Sequence, residues 1–148
     1  MLTGWTYWRK ITIDHTKVDE NLTDYPVLVL LNSGNFDFTK ARTDGYDIRF
    51  TAANGITLLS YERVSHDAVA QTAEYWVKIP TVKADNDTFI YVWYGNADAA
   101  DGSTTGIKNY GVSFNGINQY GAVAHHASLS FDETQSYTIE FWEKSVAS

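Results

Sequence analysis

Chemistry in this chain would have to start from its carboxylates and histidines, because the sequence contains no cysteine. That absence removes disulfide staples, thiolate nucleophiles and cysteine-based zinc sites together. Glu140 and Glu143 lie close enough in sequence to suggest the paired carboxylates of glycoside hydrolysis. Three residues apart on a strand, however, they point to opposite faces and cannot share one cleft. The four histidines, His15, His66, His125 and His126, match neither His-x-x-x-His nor Glu-x-x-His spacing. Zinc therefore has no pattern here, and solvated loop positions explain them. A Gly-x-Ser-x-Gly elbow and a glycine-rich phosphate loop are also missing from the sequence, so the chain reads as a non-enzyme.

The aspartates offer a different chemistry. Asp44-Gly-Tyr-Asp47 and Asp85-Asn-Asp87 supply hard oxygen ligands at short spacing, the donor type that calcium takes. Neither follows an EF-hand pattern, and turn aspartates ordinarily bond their own backbone. Within Asp44-Gly-Tyr-Asp47-Ile-Arg49 an Asp–Arg pair is the simpler reading. No cofactor is expected, with calcium on Asp44, Asp47, Asp85 and Asp87 as the alternative.

Aromatic residues make up 15% of the 148 residues, with five Trp and ten Tyr. Most should fill a core, but the surplus suggests platforms on which sugar rings stack. Trp5, Trp8 and Trp76 are the candidates for that role.

The elements that must position these groups are strands. Tyr7, Arg9, Ile11 and Ile13 share one face of a first strand. Val27–Leu31 is a continuous apolar run after Pro26, as in a strand buried on both sides. Tyr46, Ile48 and Phe50 alternate, and Asn54-Gly55 predicts a two-residue type I′ turn into a returning strand, Ile56–Glu62. Tyr75, Val77 and Ile79 alternate up to Pro80, which should end that strand. Phe89, Tyr91 and Trp93 face one way and Ile90, Val92 and Tyr94 the other, the pattern of a central strand. His66–Glu74 alone could hold a helical turn, without an apolar stripe. The fold class is all-β, an antiparallel sandwich with a jelly-roll-like strand spacing.

Hydrophobic residues make up 44%, charged residues 20%, and the net charge is −7. No basic cluster exceeds Arg9-Lys10, so a nucleic-acid partner is not expected. No apolar run approaches the roughly 20 residues of a membrane helix, so membrane insertion is not expected either. The first residues contain neither a charged n-region nor an apolar h-region. The mature chain is thus expected to start near Met1 or after removal of a signal peptide.

Six blocks carry a resemblance: Trp8-Arg-Lys-Ile-Thr-Ile-Asp14, Asn21-Leu-Thr-Asp-Tyr-Pro-Val-Leu-Val29, Asp44-Gly-Tyr-Asp-Ile-Arg-Phe50, Leu58-Leu-Ser-Tyr-Glu62, Tyr75-Trp-Val-Lys-Ile-Pro80 and Ile90-Tyr-Val-Trp-Tyr-Gly-Asn96. In this order they resemble the DUF2341 family over residues 5–96. The resemblance implies a β-sandwich from a large surface or virion protein, often beside lectin-like modules, and brings no known activity. Phe114-Asn-Gly-Ile-Asn-Gln-Tyr120, Ser128-Leu-Ser-Phe131 and Ser136-Tyr-Thr-Ile-Glu-Phe-Trp142 resemble the opening of a laminin-G or concanavalin-A-like lectin domain over residues 111–146.

The expected organisation is a sandwich over residues 1–96, a Gly/Ala/Asp-rich linker or loop over 97–109, and truncated lectin-like strands over 110–148. Two strands with an apolar face cannot stand alone in water. Phe114, Tyr120, Ile139, Phe141 and Trp142 are therefore expected to pack on the first domain or on a neighbouring subunit. The functional expectation is a non-catalytic extracellular, cell-surface or virion structural module. It would assemble with itself, or with other surface or virion proteins, through strand contacts. Carbohydrate-binding adhesion is the alternative.

Overall fold

Alternation in the sequence becomes two antiparallel sheets. The computed structural model describes residues 1–107, so the expected strands within 110–148 and their contact residues Phe114, Tyr120, Ile139, Phe141 and Trp142 lie outside the described residues. Among the described residues seven strands form: β1 Tyr7–Ile13, β2 Leu22–Asn32, β3 Arg49–Thr51, β4 Leu58–Leu59, β5 Tyr61–Asp67, β6 Thr72–Val82 and β7 Thr88–Tyr94. One sheet has the order β1-β7-β3-β4 and the other β2-β6-β5. Helix is limited, among the described residues, to two three-residue 3-10 turns at His15–Lys17 and Phe38–Lys40. The chain is an all-β sandwich.

The structure decides which of the alternating faces turn inward. From the four-stranded sheet come Phe50, Ile90, Val92 and Tyr94, and from the three-stranded sheet Val29, Leu31, Tyr75, Val77 and Ile79. Each large side chain removed from water contributes roughly 1.5–3 kcal/mol. Phe50, Tyr61 and Tyr75 meet edge to face across the two layers, with centroids 5.3 to 6.0 Å apart. Their buried hydroxyls are satisfied, since Tyr61 donates to the Ile48 carbonyl at 2.7 Å and Tyr75 pairs with His66 Nδ1 at 2.8 Å.

Several local expectations are corrected. Val27–Leu31 is not buried on both sides. It belongs to an edge strand whose Leu28 and Leu30 are 40% and 58% exposed, because they alternate with the inward Val29 and Leu31 and point away from the other sheet. Pro80 does not end its strand, since β6 continues to Val82. The Lys78 N–H donates to the Ser60 carbonyl, so the next N–H on that side, at position 80, would point beyond the start of β5. A missing donor costs nothing there. Ile56–Glu62 is not one strand: β4 pairs with β3, and after Ser60 the chain crosses to the other sheet as β5.

The turn at Asn54-Gly55 is also of another kind. Ala52 N–H bonds to the Thr57 carbonyl and Gly55 N–H to the Ala52 carbonyl, which leaves a four-residue loop, 53–56. Gly55 has φ +68°, whereas Asn54 does not have positive φ, and type I′ needs both. Asn54 instead uses its side-chain oxygen to accept the N–H groups of Ile56 and Thr57. His66–Glu74 holds no helical turn but a hairpin, with Asp67 opposite Thr72.

Residues 97–107, the described part of the Gly/Ala/Asp-rich stretch, are tied to the sandwich by specific bonds. Arg63 makes a two-pronged pair with Asp101 at 2.6 and 2.9 Å. Arg49 donates to the Ala100 carbonyl, Thr104 N–H to the Tyr61 carbonyl and Ile107 N–H to a Glu62 carboxylate oxygen. The strap thereby covers the free edge of β5.

Candidate functional site

The register of β1 on β7 sets Trp8 opposite Trp93, Lys10 opposite Tyr91 and Thr12 opposite Phe89. Since Ile90, Val92 and Tyr94 fill the core, these residues occupy the outward face of the four-stranded sheet. Trp8 is 48% exposed. Its ring meets Tyr91 edge-on at 5.3 Å and lies 6.3 Å from Trp93. Tyr91 is 6.3 Å from Trp93 on one side and 6.1 Å from Phe89 on the other. The four rings form a strip of largely edge-to-face contacts in which Trp93 is buried and Trp8, half-exposed, has the most open face.

One end of the strip is hollowed. Trp8, Tyr91 and Trp93, with Met1 and the loop residues Ala53, Asn54 and Gly55, line an open hollow of about 210 Å³. Trp93 forms its floor and is fixed there, its Nε1–H donating to Thr51 Oγ1 at 2.9 Å, both groups buried. The ammonium of Lys10 sits 4.3 Å from the centroid of Phe89 at the other end. The hollow is below the 300–1,000 Å³ of drug-sized pockets, so it suits one ring of a larger ligand.

The three stacking candidates are not brought together. Trp8 stands on this face. Trp76 is half-buried on the outward face of the other sheet, in register with Leu28 and Glu62. Trp5 is clipped down: its Nε1–H donates to the Asp47 carbonyl and its ring faces the Arg49 guanidinium. Trp8 gains neighbours that the sequence reading had not assigned to a site, Tyr91, Trp93 and Phe89. The signal was present in the i, i+2, i+4 alternation of β7, but alternation alone does not tell which face is outward.

The four aspartates lie in two separate places. Asp44 and Asp47 are near Gly95, beyond the end of β7, and Asp87 precedes its start, a separation of about 23 Å along seven residues of strand. Asp44 receives both prongs of the Arg42 guanidinium, and these bonds hold its carboxyl down to about 2. Asp47 is fully buried and accepts the N–H groups of Arg42 and Gly95. The expected Asp–Arg pairing thus uses Arg42, not Arg49. Asp87 accepts His15 Nδ1–H at 2.7 Å, which raises the imidazole and lowers the carboxyl. Among the described residues, Asp14, His15 and Asp87 are the group whose ligand atoms lie within 4.8 Å of one another and could hold a metal. Asp14 there already accepts two bonds from Thr16.

A family model described as "Domain of unknown function (DUF2341)" matches residues 44–145. The chain belongs to the DUF2341 family. The matched span takes in β3 to β7, hence Tyr91, Trp93 and the strap, and runs on to residue 145. It begins beyond the DUF2341-like blocks at 8–14 and 21–29, so Trp8 lies outside it. No curated protein and no solved structure matches the chain.

Proposed function

We propose that this DUF2341 chain is a non-catalytic recognition module of a cell surface, secreted protein or virion, and that it binds carbohydrate on the outward aromatic face of its four-stranded sheet. The observation that carries this reading is the half-exposed Trp8 indole, standing beside Tyr91 and Trp93 over a hollow of about 210 Å³. Sugar rings present C–H faces that pack on indole and phenol rings, and stacking on such a platform needs no rearrangement of the protein. The lectin-like blocks at 111–146 support the same reading by resemblance, and we propose that they open a laminin-G or concanavalin-A-like module.

The test is affinity electrophoresis and tryptophan-fluorescence titration against a panel of soluble polysaccharides, with Trp8→Ala and Tyr91→Ala beside the wild type. Binding to at least one polysaccharide, lost in both variants with circular dichroism unchanged, is expected. Retention of wild-type affinity in Trp8→Ala would remove the aromatic face from the site.

Assembly is the second reading, and a different observation favours it. Leu28 and Leu30 are exposed on the outward face of an eleven-residue edge strand, β2, with Trp76 in register beside Leu28. An apolar edge of this kind invites strand addition. Light scattering on wild type and Leu30→Lys checks it: an oligomer reduced to monomer supports assembly through β2, and a monomeric wild type removes it.

A further inference from the structure

Charge on the aromatic face is one-sided. The outward positions of β1 are Trp8, Lys10 and Thr12, and those of β7 are Phe89, Tyr91 and Trp93. None is acidic, nor are Arg49 and Thr51, the outward positions of β3 that pair with Trp93 and Tyr91, although the chain carries a net charge of −7. Lys10 is exposed and its ammonium rests over the Phe89 ring; among the described residues no carboxylate lies within 4.0 Å of it, although Asp87 is near enough to feel its charge. Asp87, at the adjoining end of β7, is engaged with His15. A cation resting on a ring beside the strip keeps its N–H groups for an incoming acceptor.

From this arrangement we infer that the ligand of the aromatic face is an anionic carbohydrate, a chain bearing uronic carboxylates, and that Lys10 is the residue selecting it over a neutral one. The inference rests on the aromatic face being a carbohydrate site. Trp8 and Tyr91 supply stacking that any pyranose accepts, and Lys10 supplies a charge-assisted hydrogen bond that only a carboxylate returns in full. Among the described residues, the cations at outward positions of β1, β7 and β3 are Lys10 and Arg49, and Arg49 is already engaged by the Tyr46, Ile48 and Ala100 carbonyls. Nucleic acid, whose phosphates call for many basic contacts, fits such a face poorly.

The experiment compares polygalacturonate, the same polymer after reduction of its carboxyl groups, and single-stranded DNA. The proteins are wild type, Lys10→Met, Lys10→Arg and Trp8→Ala, all as full chains. The expected wild-type preference for polygalacturonate over the reduced polymer is about tenfold, the scale of one charge-assisted bond. Lys10→Met should erase that preference while still binding the reduced polymer, Lys10→Arg should keep it, and Trp8→Ala should lose both polymers. Equal binding of the two polymers by wild type, or an undiminished preference in Lys10→Met, overturns the inference and leaves the aromatic reading intact. Tighter binding of DNA than of either polymer overturns it as well. Binding insensitive to Trp8→Ala, or no binding to either polymer, overturns the inference together with the reading beneath it.

Discussion

The carboxylate of Asp47 accepts the backbone N–H of Gly95 at 2.7 Å, across 48 residues of sequence. Its other oxygen accepts the Arg42 N–H at 3.0 Å, and its own carbonyl takes the Trp5 indole N–H. One buried side chain thus joins the loop before β3 to the end of β7, and its backbone holds the segment that leads into β1. Asp47→Ala should leave two backbone donors without an acceptor and cost about 3 kcal/mol. Urea unfolding measures this, and a loss under about 1 kcal/mol would mean that water replaces the carboxylate.

Gly95 itself should tolerate no side chain. Its φ is +83°, and a Cβ there would lie 2.5 Å from Tyr7 Cδ2. Gly55, at φ +68°, has its nearest neighbour at 3.5 Å, so Gly55→Ala meets only the backbone penalty of about 1 kcal/mol. Gly95→Ala should cost clearly more, about 2–3 kcal/mol, because crowding adds to conformation. Thermal denaturation of the two variants side by side decides, and equal losses would show that Tyr7 moves aside freely.

The strap should open locally when its ion pair is cut. Arg63 and Asp101 are partly shielded from solvent, and Arg63→Met should lower global stability by only about 1 kcal/mol. Amide exchange at Thr104 and proteolysis within 97–107 should nevertheless accelerate, since the strap owes its place to a handful of bonds. Unchanged protection at Thr104 would assign the docking to backbone bonds alone.

His15 and His66 should titrate on opposite sides of their ordinary value of 6.5. The hydrogen bond to Asp87 raises His15, so its contribution to stability is complete below 6.5 and is lost as pH rises through its folded value. Burial lowers His66, so its neutral form is favoured. Stability on its account is complete above 6.5 and falls as pH drops below it, where the unfolded chain takes up the proton first. Imidazole resonances followed by NMR, assigned with His15→Gln and His66→Gln, should place the midpoints of these two of the four rings on opposite sides of 6.5. Coincident midpoints for the two rings would contradict both environments.

Thr51→Val should strand the Trp93 indole N–H, which donates to Thr51 Oγ1 in a buried setting. A cost of about 1–3 kcal/mol is expected. Loss of the bond frees the floor of the hollow, so tryptophan emission and polysaccharide affinity should change together. Affinity unaltered in a folded Thr51→Val protein would show that Trp93 needs no such fixing.

The sequence by itself determined the fold class and which residues of a strand such as β7 share a face. Period-two alternation admits few partners for residues such as Ile90, Val92 and Tyr94 beyond a second sheet. Lack of cysteine and of basic clusters bounded the chemistry in the same direct way. What alternation cannot carry is the identity of neighbours across space. It marked Phe89, Tyr91 and Trp93 as sharing a face, but only the register of β1 on β7 set Trp8 beside them and made a strip with a hollow. It suggested an Asp–Arg pair within one short motif, but only the folded loop chose Arg42 as the partner of Asp44 and turned Asp47 inward to Gly95. Pro80 and Asn54 were misread for a related reason. The cost of a missing N–H, or of a positive φ, depends on whether a neighbouring strand or loop is there to ask for it, and that is a property of the tertiary structure.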